Sequence, residues 1–131
     1  MRDVNGSIGF AAAEIANRLN AKAIMCSTTS GRTARLISHF RPHEALFAFT
    51  SDPKTLRRCC FYWGVDAYLV DEWDKLASTF DIAIDAAKEL QLVAEGDLVV
   101  VTAGDPRTAP TDPEEGYVSS TNVLMVSQIN D

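Results

Sequence analysis

AKAIMCSTTSGRTARLISHF, residues 21–40, decides how the chain folds. Ala23, Ile24, Met25 and Cys26 run without polar interruption, as in a strand covered on both faces of a parallel sheet. Ser27, Thr28, Thr29 and Ser30 then supply hydroxyls, and Gly31 allows close backbone approach. Ala34, Ile37 and Phe40 recur at helical spacing beside Leu36, so a helix opens near Ser30 or Gly31. A helix that starts directly after a strand exposes unpaired N–H groups and a partial positive charge. With hydroxyls and Arg32 alongside, that end is suited to an anion such as phosphate. The same residues also suit simple helix capping. A third reading uses Cys26, five intervening residues, then Arg32 and Thr33, the C-x5-R-[ST] spacing of cysteine phosphatases. There a thiolate attacks phosphorus, and a loop acid such as Asp105 would assist. Against it, Cys26 ends an apolar run, where thiols are usually inert.

The pattern on either side is an alternation of helix and strand. Ser7 is expected to cap a first helix carrying Ile8, Ala11, Ala12, Ile15, Ala16 and Leu19 on one stripe, with Asn20 ending it in a left-handed conformation. Arg41-Pro42 stops the second helix. ALFAFT, residues 45–50, reads as another buried strand, and Asp52-Pro53 as the cap and first position of a third helix reaching Tyr62. Phe61, Tyr62 and Trp63 cannot all face inward from one helix, so one or two are exposed or meet a partner. Residues 65–70 form a third strand, 72–91 the longest helix, and LVVVT at 98–102 a fourth strand. Residues 105–120 hold three prolines and the acids Asp105, Asp112, Glu114 and Glu115, and read as a long loop. A last strand at 122–126 follows without a helix and is therefore antiparallel. The expected fold is α/β: a three-layer α/β/α sandwich on a five-stranded, mostly parallel sheet. Ligands of such sheets gather beyond the strand carboxyl ends where strand order reverses, so the Thr28 and Gly104 loops are expected to face one pocket.

The 131 residues suffice for one domain, read as spanning 1–131, with 47% apolar and 23% charged residues. A net charge of −6 without a basic stripe argues against nucleic acid or an anionic membrane as partner. There is no membrane-length apolar run or signal-peptide core, so a cytoplasmic location is expected. Cys26, Cys59 and Cys60 match neither a disulfide framework nor a zinc site. Pro42 separates His39 from His43, and no metal site is expected.

In order and at similar separations, AKAIMCSTTSGRTARLISHFRP, SDPKTLRR, WGVDAYLV, GDLVVVTAGDP and STNVLMV resemble the carboxy-terminal α/β domain of pyruvate kinase, over residues 8–126. The resemblance implies a five-stranded sheet with an antiparallel last strand, and no catalysis by this domain. In the family, phosphoryl transfer from phosphoenolpyruvate to ADP takes place on a separate barrel with Mg and K ions and a lysine; no barrel or lid motif is present here. The implied partners are that catalytic barrel, further copies of the subunit, and a phosphorylated allosteric effector such as fructose 1,6-bisphosphate. The implied effector-phosphate site is Thr28, Thr29, Ser30, Gly31, Arg32 and Thr33, with Trp73, Gly104 and Asp105 as a further effector loop. Thr29 stands where bisphosphate-binding members often carry a basic residue, and residues 78–83 contain no arginine. A monophosphate or smaller sugar phosphate thus suits the loop as well as the bisphosphate does. Assembly without a ligand is the remaining alternative.

Overall fold

Strand β1 (Ala23–Ser27) lies at the centre of a sheet because its side chains are apolar towards both faces. The computed structural model describes residues 4–28, 30–71, 79–103, 111–112, 117–118, 121 and 123–130. Parallel to β1 run β2 (Ala45–Thr50) and, beyond it, β3 (Val65–Leu69); on its other side runs β4 (Leu98–Ala103). Strand β7 (Val123–Gln128) pairs antiparallel with β4, giving the order β3-β2-β1-β4-β7. The expected fold class is the one observed.

Alternation of side chains across β1 separates two cores. Ile24 and Cys26 point to one face, where Leu46, Ala48 and Val100 meet α1 (Val4–Leu19), α2 (Arg32–His39) and α3 (Pro53–Cys59). Ala23 and Met25 point to the other, where Phe47, Phe49, Val99 and Val101 meet α4 (Thr79–Glu89). Each fully buried Ile, Leu, Val or Phe contributes about 1.5–3 kcal/mol of burial free energy. Small residues set the spacing of α1: Ala12 and Ala16 are fully buried, and a Cβ on Gly9 would lie 3.6 Å from Leu36.

Element ends follow the expected chemistry with three differences. Asn20 (φ 52°) ends α1 in the left-handed region as expected, and Asp52 caps α3 ahead of Pro53. The Lys54 backbone N–H, and then the Thr55 hydroxyl, bond the Asp52 carboxylate and hold its pKa below the usual value. Ser7, however, is not the cap of α1, which opens three residues earlier at Val4. Asn5 is buried there and accepts the Thr121 N–H at 2.9 Å, so a tertiary contact extends the helix past a good capping residue. Helix α3 stops at Cys59 rather than Tyr62; the Cys60, Phe61 and Tyr62 amides bond carbonyls three residues back, a tighter winding that leads to Gly64 at φ 70°. The expected loop at 105–120 includes a short antiparallel pair, β5 (Thr111–Asp112) and β6 (Tyr117–Val118), with Thr111 opposite Val118 and Asp112 opposite Tyr117. Of the long helix expected at 72–91, α4 covers 79–89, and residues 72–78 lie outside the described residues.

Candidate anion-binding loop at the carboxyl end of the sheet

Strand order reverses between β1 and β4, and a doubly wound sheet opens a crevice beyond the carboxyl ends of such a pair. The loop after β1 is built at that point. Its first residue, Thr28, extends the ladder by donating its N–H to the Phe49 carbonyl at 2.9 Å. The buried Thr28 hydroxyl accepts the Gly31 N–H at 2.8 Å and closes the loop on itself. Gly31 sits at φ 84° as the N-cap of α2, a conformation that other residues adopt only with strain. A Cβ there would lie 3.3 Å from Cys59 Sγ and 3.6 Å from both Thr55 and Tyr62.

Donors then line up at the helix start. The Arg32 N–H donates to Ser30 Oγ at 3.3 Å, and the first helical bond is from the Arg35 N–H to the Gly31 carbonyl at 3.0 Å. Helix geometry therefore leaves the Thr33 and Ala34 amides without an intrahelical acceptor, at the positive end of the α2 dipole. Arg32 is exposed beside them.

Of the residues expected at the site, Thr28, Ser30, Gly31, Arg32 and Thr33 come together in this loop. Thr29, Trp73, Gly104 and Asp105 lie outside the described residues. Residues not expected at the site also reach it. Arg58 of α3 donates through Nη1 to the Ser30 carbonyl at 3.1 Å, bringing a second guanidinium to the loop. The Thr33 and Thr121 hydroxyls bond each other, and the Thr121 N–H bonds Asn5, so Thr121 links α2 to α1. Asn5, Thr28, Thr33, Thr50, Thr55, Thr102 and Thr121 are all buried and polar at this end of the molecule, whereas the sheet centre is apolar. The signal for Arg58 was the Asp52-Pro53 start, which fixes α3's register, combined with β2 lying next to β1.

Cys26 does not belong to the site. It is fully buried among Ala12, Ala16 and Ile37 in the core against α1, α2 and α3. Burial, reinforced by the neighbouring Cys59 thiol, pushes its pKa up to about 12. At neutral pH it is a protonated thiol, with no nucleophile to offer a bound phosphate. The C-x5-R spacing is thus a coincidence of a core cysteine with a loop arginine.

The family model described as pyruvate kinase, alpha/beta domain, matches residues 6–127. The chain belongs to the pyruvate kinase α/β-domain family. It is 35% identical over 125 residues to a pyruvate kinase of Staphylococcus epidermidis, and 34% identical over 125 residues to one of Staphylococcus aureus. Each match covers 95% of this chain and 20% of the relative, so the chain spans about a fifth of the length of these pyruvate kinases. A crystal structure of a pyruvate kinase from Cryptosporidium parvum superposes with a TM-score of 0.74 at 27% identity, over 98% of this chain and 23% of that one. The pyruvate kinase α/β domain is not the part of the enzyme that carries catalysis. Among the described residues, no group of three or more His, Cys, Asp or Glu side chains converges as a metal site would require, and no helix is long and apolar enough to cross a membrane.

Proposed function

We propose that this domain regulates and helps assemble a pyruvate kinase, and that the loop of Thr28, Thr29, Ser30, Gly31, Arg32 and Thr33 holds the phosphate of a phosphorylated effector. The parent activity is then phosphoryl transfer from phosphoenolpyruvate to ADP on a separate catalytic barrel, with this domain contributing no reacting group. The observation that carries the reading is Gly31 at φ 84°, which opens α2 directly after β1, where strand order reverses, with Arg32 exposed at the helix start. Two or three charge-assisted hydrogen bonds to one phosphate suffice for binding of moderate strength.

The route from ligand to regulation runs through Thr33. Its hydroxyl is bonded to Thr121, and Thr121 to Asn5. A phosphate oxygen that recruits the Thr33 hydroxyl competes with Thr121 and so alters the junction of the last strand with α1. An effector changes activity only to the extent that it binds one arrangement of the protein more tightly than another, and this junction is where the two arrangements would differ.

Thermal denaturation in the presence of fructose 1,6-bisphosphate, AMP or inorganic phosphate tests the binding half. At ten times the dissociation constant a ligand stabilises the folded state by about 1.4 kcal/mol, a readily measured shift in melting temperature. Arg32→Ala is expected to weaken binding by about 10- to 100-fold, the loss of a hydrogen bond between charged groups. Absence of any shift at millimolar concentrations of all three compounds contradicts the reading.

A further inference from the structure

A cleft of about 670 Å³ is lined by α2 and residues 61–63 and shares only Arg32 with the loop after β1. Its volume falls in the range of small-molecule sites, roughly 300–1,000 Å³. Arg32, Arg35 and His39 follow one another at three- and four-residue steps along α2, so they are neighbours on one face, and Arg41 comes just after the helix. No carboxylate lines the cleft, although the chain carries a net charge of −6. Phe61, 89% exposed, and Trp63, 48% exposed, bring aromatic rings to the same space.

Two features of the basic side run against ordinary helix chemistry. Arg32 and Arg35 stand at the start of α2 with no acid in its first turn, where the helix dipole and their mutual repulsion both disfavour cations. Arg35 is exposed and has no hydrogen-bond or ion-pair partner among the described residues. Arg41 adopts a left-handed backbone, φ 48°, directly after the C-cap Phe40, a position that glycine or asparagine usually fills. That conformation is unfavourable for a residue with a Cβ, and it accompanies the stacking of the Arg41 guanidinium over the Trp63 ring at 5.0 Å. The two sides are also tied together: the buried Ser38 hydroxyl donates to the Trp63 carbonyl at 2.5 Å, and the Arg41 N–H to the Ser38 carbonyl at 2.9 Å. A stacked guanidinium keeps its N–H groups directed outward in its own plane, so Arg41 can donate to an anion while it covers Trp63.

We infer that this cleft binds an aromatic phosphate, a small molecule in which a flat ring is joined to a phosphate group, with the ring against Phe61 and the phosphate on Arg35 and Arg41. Two guanidinium groups suit a dianion with three free oxygens better than they suit a carboxylate. Stacking on an aromatic side chain favours any flat ring, whatever its substituents. The overall acidity of the chain opposes a macromolecular polyanion but not a ligand of one or two charges. A nucleoside monophosphate and a phosphorylated pyridine share this chemistry. The cleft is separate from the loop after β1, and its ligand does not depend on what that loop holds.

NMR titration of the full chain, followed at the Trp63 indole N–H and the Phe61 amide, tests this with AMP and pyridoxine phosphate as probes. At least one of them is expected to shift both signals saturably. AMP alone assigns the ring to a purine, pyridoxine phosphate alone assigns it to a pyridine, and binding of both shows that any flat ring suffices. Adenosine, which lacks the phosphate, and inorganic phosphate, which lacks the ring, should each act on these signals at least about tenfold more weakly. Arg35→Ala and Phe61→Ala, both at exposed positions and checked for folding by circular dichroism, should each weaken probe binding about tenfold or more. No saturable shift by either probe overturns the proposal, as does equal binding of adenosine or inorganic phosphate, or a folded variant that binds as the original chain does. The probe comparison on the unaltered chain decides the matter even if a variant does not fold. Shifts confined to the amides of residues 31–34 would refute the cleft and leave the reading of the loop standing.

Discussion

Phe49→Ala is expected to lower folding stability by about 3–5 kcal/mol, the usual cost of emptying a large buried aromatic site. Phe49 is fully buried under α4, stacks on Tyr68 with ring centroids 5.9 Å apart, and sits with Phe47, Val99 and Val101 in the core of that face. Neighbours cannot collapse into the space easily, because Phe49 occupies a strand paired on both sides. The melting temperature should fall by roughly 10–20 °C for a chain of this size. Calorimetry checks this, and a fall of less than about 5 °C would mean that α4 does not cover the sheet as described. The Phe49 carbonyl also receives the Thr28 N–H, so this core residue and the loop after β1 share a backbone contact.

Gly31→Val is expected to cost about 2–4 kcal/mol and to abolish phosphate binding. Two effects add: a β-branched residue is strained at φ 84°, and its Cβ would press against Cys59 Sγ at 3.3 Å, with Thr55 and Tyr62 close behind. Relief of either strain moves the chain between Thr28 and Arg32, which takes the first-turn amides off their common target. Gly31→Asn separates the two causes, since asparagine tolerates left-handed angles but still carries a Cβ. Its cost, measured by urea denaturation, should be clearly smaller than that of valine. Equal stability of Gly31→Val and the parent chain would remove the conformational basis of the loop.

Much of this fold was legible because its central strands β1, β2 and β4 are buried on both faces. Continuous apolar runs at 23–26, 45–50 and 98–102 can only be interior strands when helical stripes separate them, and the missing helix before 123 already implied an antiparallel edge. Element ends were less legible. Ser7 has the chemistry of a cap, but Asn5 bonds to Thr121, 116 residues away, and no local pattern records such a contact. The C-terminal turn of α3 tightens for a similar reason, with Tyr62 packed against the site of Gly31.

The loop was legible as far as local chemistry extends. Hydroxyls, a glycine and an arginine marked a loop suited to an anion, and the structure places Gly31 of that loop in the left-handed region at the start of α2. Pattern alone left the role of Cys26 open, because spacing does not reveal whether the residue before the loop turns into it or stays in the core. Its place beside Ile24 and Val100 does. Arg58 and Thr121 were hidden for the opposite reason: they reach the loop only through the packing of α3 and the last strand.

Titration of the isotopically labelled chain with a sugar phosphate, followed by amide NMR, tests the central claim most directly. The Gly31, Arg32, Thr33 and Ala34 amides should shift in a saturable manner, with Thr121 and Asn5 following through the Thr33 hydroxyl. Saturable binding that leaves those four amides unmoved, or no binding at millimolar ligand, would contradict the account.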